Sequence, residues 1–329
     1  MNKILVFLKK QWFLVTMFAL IIIASISPNI GKTGGYLHID QISNFGIALV
    51  FFLYGLGLSF EKLKQGMSSW KVHILVQLTT FVVFPLCFFL FSKSFGNHIP
   101  NDLLLGFCYL CALPSTVSSS VAMTGIAKGN VPAAIFNATI SGLIGIIATP
   151  FIIATFIGFN HGALSFESTV LSIAKLLLLP LVVGHLLRPI LLNLHQRYKF
   201  FTNSADRLVI LMLVFSAFSD SVVSGLWKNN GLEIIGLVFI CVTILLIAVL
   251  FVTTWIAKNL GFNTEDEIAA VFCGSKKTLA SGVPMAKIIF GAHPGLGLIM
   301  LPIILFHQMQ LIICSILANR YLKRLNSSL

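Results

Sequence analysis

The segment Leu113-Pro114-Ser115-Thr116-Val117-Ser118-Ser119-Ser120 interrupts an apolar run that is long enough to cross a membrane. Its proline removes one backbone donor and clashes with the carbonyl group one helical turn earlier. Freed backbone groups in hydrocarbon need partners within the protein, so this segment is not a plain lipid-facing helix. A second interruption, Gly274-Ser275-Lys276-Lys277-Thr278, occupies the corresponding place in the second half of the chain. Two interrupted spans in matching positions predict a transporter with its binding site near the bilayer midplane.

The composition places the chain in a membrane. Of its 329 residues, 57% are hydrophobic and only 10% are charged, and the mean hydropathy is +0.97. Soluble domains carry about 25% charged residues, so the chain is predicted to be an all-α polytopic membrane protein. The net charge of +12 does not indicate nucleic acid, because the basic residues form short clusters between apolar runs. Anionic membrane lipid is the expected partner of that charge.

The length allows roughly ten spans and leaves no room for a separate soluble domain, so residues 1–329 are predicted to form one membrane domain. The first five spans define repeat one, about 11–157, and the last five define repeat two, about 168–319. Because each half holds an odd number of spans, the two repeats have inverted orientations. Thr264 and Glu267 fit a capping box at the start of span nine. The ten spans are read at about 11–30, 41–60, 70–92, 102–127, 131–157, 168–193, 205–226, 232–258, 265–290 and 296–319.

Charge orients the chain. With the N-terminus in the cytoplasm, 15 of the 22 basic residues fall on the cytoplasmic side, four fall outside and three lie within spans. This bias predicts that both termini are cytoplasmic. The N-terminal apolar run has features of a signal peptide, but removal of the first span would scramble the alternation of charge. We therefore expect the first helix to be retained.

The break in span four supplies hard oxygen ligands. Freed carbonyl groups and the hydroxyls of Thr116, Ser118, Ser119 and Ser120 suit Na⁺ or the polar groups of a solute. A possible Na⁺ site is predicted at Ser118, Ser119, Ser120 and Asn137, and no other cofactor is expected. The alternative is a hydroxyl-lined contact between helices, since small residues favour close packing in bilayers.

The break in span nine places Lys276 and Lys277 deep in the membrane. A lysine at the centre of a span costs about 2.5–3.5 kcal/mol on insertion scales, which favours a functional reason for both. One of the two is expected to face a water-filled cavity and to meet an anion. The alternative is that the span is misplaced and both lysines lie at a membrane interface.

Further polar residues lie in spans three, five and ten. Each alone is typical of a hydrogen bond between helices, but together with the two breaks they favour one shared cavity. A nucleophile–base pair is not found, so enzymatic activity is not expected. The candidate substrate- or ion-binding residues are Gln77, Thr116, Ser118, Ser119, Ser120, Asn137, Ser275, Lys276, Lys277, Thr278, Ser281 and Gln308.

A family resemblance rests on these same segments. The motifs are LPSTVSSSV (residues 113–121), AIFNA (134–138), CGSKKTLASGVPM (273–285), YGLGLS (54–59) and LPIILFHQ (301–308). They resemble the bile acid:sodium symporter superfamily, in particular its bacterial branch related to member seven of solute carrier family 10.

The resemblance implies ten helices in two inverted five-helix repeats, with discontinuous helices four and nine that cross each other. It implies a core of about 70–157 and 232–319 and a panel of about 11–60 and 168–226, with the solute cavity between core and panel. Movement of core against panel would give alternating access. The function expected from the resemblance is secondary active transport of an organic anion in a bacterial inner membrane.

One stretch departs from the family pattern. Sodium-coupled members carry a carboxylate and a glutamine in the break of span nine, where this chain has residues 275–279, Ser-Lys-Lys-Thr-Leu. This departure suggests that the ammonium group of Lys276 or Lys277 replaces one bound cation, with proton coupling as a possible consequence. An alternative function is a non-transporting membrane regulator or sensor that binds an ion or a lipid.

Overall fold

The fold is given by a computed structural model, which describes residues 12–36, 38–58, 60–157, 166–223, 225, 232–291 and 293–327. Within these residues all regular structure is helical and no strand is present. The first half contains α1 (Trp12–Ile26), α2 (Pro28–Gly31), α3 (Ile39–Gly57), α4 (Phe60–Gly66), α5 (Trp70–Leu78), α6 (Phe84–Phe95), α7 (Asn101–Ala112), α8 (Ser118–Ile126) and α9 (Val131–Ile157). The second half contains α10 (Phe166–Ile173), α11 (Leu179–Arg197), α12 (Lys199–Val223), α13 (Leu232–Asn259), α14 (Thr264–Gly274), α15 (Gly282–Phe290) and α16 (Leu296–Ser327).

Two pairs of these helices are joined through a π turn rather than a loop. Residues Thr79–Val83 connect α5 to α6, and Ala174–Leu178 connect α10 to α11. A π turn widens the helix locally without ending it, so each pair runs on as one long helical segment.

The all-α class predicted from the sequence is confirmed for the described residues. Among the described residues, five helical stretches are long and apolar enough to cross a bilayer: Trp70–His98, Val131–Phe156, Glu167–Arg197, Glu233–Asn259 and Leu296–Arg324. Large apolar side chains cover their outer surfaces, as expected where a helix faces lipid rather than water. Helix also occurs in each of the other segments read as spans. The ten-span inverted arrangement stays a prediction, and the first eleven residues, with three of the lysines counted above, lie outside the described part.

The chain divides into two compact units. The first comprises Met1–Leu58, Leu171–Leu232 and Val283–Met300. Within it, α3 and α11 pack backbone against backbone, because a Cβ atom on Gly55 would overlap the carbonyl of Leu181 and one on Gly184 would overlap the carbonyl of Phe52. Only glycine allows this approach at these two positions.

The carboxylate of Asp220 accepts hydrogen bonds from the turn that follows α2 in the first unit. Asp220, near the end of α12, accepts hydrogen bonds from the backbone N–H and the hydroxyl of Thr33, both at 2.8 Å. These bonds join segments that are far apart in sequence.

The second unit comprises Ser59–Val170, Glu233–Gly282 and Leu301–Leu329. Part of its apolar core is a cluster of mostly small side chains from α5, α9, α13 and α14, which lets these helices pack closely. Helix α14 begins at Thr264, and its N-cap is Asn263, whose side-chain oxygen accepts a hydrogen bond from the N–H of Asp266 at 2.7 Å. The predicted capping box at Thr264 and Glu267 is therefore wrong by one residue, because the asparagine one position earlier reaches the free N–H group first.

Candidate functional site

The candidate site lies where two helices of the second unit end and new helices begin. Helix α7 ends at Ala112 and α8 begins at Ser118, while α14 ends at Gly274 and α15 begins at Gly282. The residue after α7, Leu113, has an extended backbone with φ −68° and ψ 151°, which stops the helix directly before Pro114.

The two breaks contact each other through hydrogen bonds. The N–H of Thr278 donates to the carbonyl of Pro114 at 3.0 Å, and the hydroxyl of Ser115 donates to the carbonyl of Cys273. The hydroxyl of Ser120 donates to the carbonyl of Phe272 at 3.0 Å. Backbone groups left unpaired at each helix end thus find partners in the opposite break, as they must inside a membrane.

The Lys277 ammonium is held by three backbone carbonyl oxygens. Its Nζ donates to the carbonyls of Thr80 at 2.8 Å, Cys111 at 2.8 Å and Leu113 at 2.6 Å. It also lies 4.1 Å from the ring centroid of Phe84, a distance at which an aromatic face attracts a cation. A primary ammonium has three N–H donors, so three carbonyl groups satisfy it completely.

Helix geometry explains why these oxygens are available. Cys111 and Leu113 lie at the C-terminal end of α7, where carbonyl groups have no partner within the helix and the helix dipole is negative. Thr80 lies in the π turn between α5 and α6. A helix end and a π turn together form a cluster of partial negative charge, and the lysine side chain neutralises it. We refer to Thr80, Cys111 and Leu113 with Lys277 as the carbonyl cluster.

Gln310 on α16 fixes the backbone of the same lysine. Its Oε1 accepts from the Lys277 N–H at 2.9 Å, and its Nε2 donates to the Lys277 carbonyl at 2.9 Å. The side-chain amide therefore replaces the partners that an unbroken helix would have provided. The His307 ring nitrogen lies 2.8 Å from the same Nε2 and extends the polar contact along α16.

Lys276 is held more weakly than its neighbour. Its Nζ donates to one backbone carbonyl, that of Ser119, at 2.8 Å and lies 5.2 Å from the ring centroid of Phe272. Both lysines have 0% of their surface exposed. With no exposed surface, neither side chain lines an open cavity in this structure. The expectation that one of them meets an anion stays a prediction.

Three of the predicted hydroxyl residues form a contiguous cluster. The Oγ1 of Thr116 lies 2.8 Å from the Oγ of Ser119 and 2.7 Å from the Oγ of Ser120. Thr116 and Ser120 are buried, whereas Ser118 is exposed on the first turn of α8. The structure thus groups Thr116, Ser119 and Ser120 and leaves Ser118 on a different face.

Asn137 and Gln77 form a separate pair. The Gln77 Nε2 lies 3.4 Å from both the backbone oxygen and the Oδ1 of Asn137, and the Asn137 Nδ2 donates to the carbonyl of Ala133 at 3.0 Å. The Oε1 of Gln77 and the Oγ1 of Thr79 are buried without a hydrogen-bond partner. The hydrogen bonds described for Asn137 do not join it to the hydroxyl cluster on α8.

The remaining candidates line the second break and α16. Ser275 donates to the carbonyl of Val271 at 2.6 Å, and the hydroxyl of Ser281 lies 3.2 Å from that of Thr278. Gln308 is buried on α16, two residues and hence about 200° around the helix from Gln310.

The candidate set predicted from the sequence leaves out two groups that contact Lys277, namely Gln310 and the carbonyls of Thr80 and Cys111. Gln310 was visible as a polar residue in an apolar helix, three residues after His307, and this spacing was its signal. The carbonyls of Thr80 and Cys111 carry no such signal, because every residue has a carbonyl group.

These observations define the class of the chain: across the described residues it is a helical protein with apolar helices long enough to span a membrane and a buried polar centre where the ends of α7 and α14 meet. Among the described residues, no cluster of histidine, cysteine or acidic side chains could hold a metal ion. The groups that meet at the centre are backbone oxygens, hydroxyls, amides and two lysines.

Comparison with known proteins gives the family. Residues 11–323 match the model of the SBF-like CPA transporter family. The chain is 40% identical to an uncharacterised protein of Pseudomonas aeruginosa over 95% of this chain and 93% of that protein. It is 38% identical to the Escherichia coli K12 protein YfeH, a candidate symporter by name, over 94% of this chain and 92% of that protein. It is 32% identical to the zebrafish sodium/bile acid cotransporter 7 over 94% of this chain and 93% of that protein.

The chain belongs to the SBF-like CPA transporter family and is a membrane transporter. The resemblance read from the interrupted spans is thereby confirmed.

Proposed function

We propose that this transporter is a secondary active carrier that moves an organic anion across a bacterial inner membrane by alternating access. The name of the zebrafish relative, which refers to sodium and bile acid, supports an organic anion as the class of solute. The excess of basic residues on one side of the spans supports an orientation with both termini in the cytoplasm.

The proposal includes ten spans in two inverted repeats, with α7 and α8 as the discontinuous span four and α14 and α15 as the discontinuous span nine. The hydrogen bonds between the two breaks support a crossing of these spans. The compact units support a core near 70–157 and 232–319 and a panel near 11–60 and 168–226, although Val283–Met300 group with the panel residues.

We further propose that the ammonium group of Lys277 takes the place of a bound cation, so that sodium is not a coupling ion at this position. The observation that carries this proposal is the coordination of Nζ by three backbone carbonyls at 2.6–2.8 Å. Carbonyl oxygens are the ligands that hard cations prefer, and a tethered ammonium satisfies them without a free ion.

The hydroxyl cluster of Thr116, Ser119 and Ser120 remains our candidate for polar contacts to the anionic solute. Its oxygens lie within 2.7–2.8 Å of Thr116 Oγ1, and Lys276 donates to the carbonyl of Ser119 beside them. A positive charge next to the hydroxyls favours an anionic group over a second cation at this position.

The first experiment measures cation dependence in the purified protein. Melting temperatures of the wild type, Lys277→Ala and Lys276→Ala are compared in sodium chloride and in choline chloride at equal ionic strength. We expect the wild type to melt at the same temperature in both salts. Lys277→Ala should be stabilised selectively by sodium, because three vacated carbonyl oxygens can bind it. Lys276→Ala, the matched control with one vacated carbonyl, should show no such gain. Selective stabilisation of the wild type by sodium would refute the proposal that the Lys277 ammonium takes the place of a bound cation.

The second experiment measures transport in proteoliposomes. A panel of radiolabelled organic anions, with a bile acid as the first probe, is tested for binding and for counterflow with sodium or with choline as the cation. We expect counterflow of a bound anion that is undiminished in choline. Loss of counterflow in choline would show sodium coupling, and binding without any counterflow would favour the sensor or regulator instead.

A further inference from the structure

A basic cavity in the second compact unit lies apart from the carbonyl cluster. Its volume is about 250 Å³, and its walls come from the C-terminal ends of α13 and α16 and from the first turn of α14. Three of its side chains are cations, Lys258, Arg320 and Arg324, and one is a carboxylate, Glu267. The lining therefore has an excess of positive charge.

The carboxylate does not cancel that excess. Glu267 is buried, with 6% of its surface exposed, and its Oε1 accepts a hydrogen bond from the hydroxyl of Tyr321 at 2.9 Å. It also lies at the positive N-terminal end of α14, which stabilises a negative charge. Lys258 and Arg320 are exposed at the cavity. An anion that enters would meet these cations before it met the carboxylate.

Apolar stripes lead from the cavity along the same two helices. On α13, Phe251 and Trp255 are 71% and 59% exposed and precede Lys258 at spacings of four and three residues, so the three share a face. On α16, Ile312 and Ile316 are half exposed and precede Arg320 at spacings of four residues. Exposed tryptophan one turn from lysine is typical of the boundary between hydrocarbon and headgroups.

We propose that this cavity binds the phosphate headgroup of an anionic phospholipid, with the acyl chains against the apolar stripes. Arg320 and Lys258 can donate charge-assisted hydrogen bonds to phosphate oxygens, and the guanidinium group can do so with two parallel bonds. The apolar stripes identify a lipid rather than free phosphate as the ligand, because a soluble anion gains nothing from them.

The test uses the full chain in detergent, with native mass spectrometry to count bound lipid. Phosphatidylglycerol is the anionic probe, phosphatidylcholine the zwitterionic comparison and inorganic phosphate the soluble comparison. We expect phosphatidylglycerol to bind most tightly. Lys258→Gln and Arg320→Gln should each weaken its binding about fivefold, the effect of one basic residue near an anionic membrane surface. Lys323→Gln is the matched control, because Lys323 is exposed on the same helix but does not line the cavity.

Three results would overturn the proposal. They are equal binding of phosphatidylglycerol and phosphatidylcholine, an equal loss of binding in Lys323→Gln, and inorganic phosphate that binds as tightly as the anionic lipid. Each variant is first compared with the wild type for monodisperse elution and lipid-free melting temperature. If one of the two cavity variants does not stay folded, the other variant alone decides the outcome.

Discussion

Replacement of Lys277 by methionine removes the ammonium from the carbonyl cluster while it keeps most of the side-chain volume. Three carbonyl oxygens lose their donor, and each hydrogen bond to a charged group contributes about 1.5–3 kcal/mol. The variant also removes the free-energy cost of burying a charge, which is several kcal/mol. The two effects oppose each other, so the change in the free energy of unfolding of this variant alone does not separate them.

A comparison with Lys276→Met separates the two effects. Both lysines are fully buried, so the relief of desolvation is similar in both variants and cancels in the difference. What remains is two additional carbonyl hydrogen bonds at Lys277, because Lys276 donates to one carbonyl and Lys277 to three. We expect Lys277→Met to be less stable than Lys276→Met by about 3–6 kcal/mol.

The assay is denaturant unfolding in a single detergent, followed by helical circular dichroism. The two variants carry the same charge and the same substituted side chain, so each serves as the control for the other. Equal stability, or a larger loss in Lys276→Met, would show that the carbonyl contacts of Lys277 do not hold the break together.

Two further predictions concern the packing of α9 against Pro114 and the turn at Thr33. In Gly145→Ala the new Cβ would lie 2.7–3.0 Å from the ring of Pro114. We therefore expect the free energy of unfolding to fall by about 1–3 kcal/mol, measured by thermal unfolding. Gly142→Ala on the same helix, with open space around its Cβ, is the control, and equal melting temperatures would contradict the contact. Asp220→Ala removes both acceptors of Thr33 and should raise deuterium exchange in the turn around that residue about tenfold or more. Unchanged exchange there would exclude a role for the carboxylate in holding the turn.

The helical class could be predicted from the sequence because apolar composition leaves few other structures for a chain in lipid. Positions where helices end were harder to predict. Pro150, Pro189 and Pro302 lie inside helices, whereas α7 ends just before Pro114. Proline alone therefore does not decide the break. The difference lies in the surroundings, since the freed groups near Pro114 have hydrogen-bond partners in a segment more than 150 residues away.

The candidate site was predictable to the level of residue type. Hydroxyls and lysines within apolar runs identified both breaks, and the structure brings Thr116, Ser119, Ser120 and Lys276 into contact. The partners of Lys277 were not predictable, because they are main-chain oxygens whose positions depend on a helix end and a π turn. A side-chain pattern carries no information about either.

A tethered ammonium differs from a bound sodium ion in one respect that bears on coupling. Sodium enters from one side of the membrane and leaves on the other, so its gradient can drive a solute. The Lys277 ammonium is covalently attached and moves only with the helix segments that carry it. In the proposed cycle it can offset the charge of an anionic solute, but it cannot draw energy from the sodium gradient. Energy for active transport must then enter through the gain and loss of a proton, and Lys277 is a residue at this position able to exchange one.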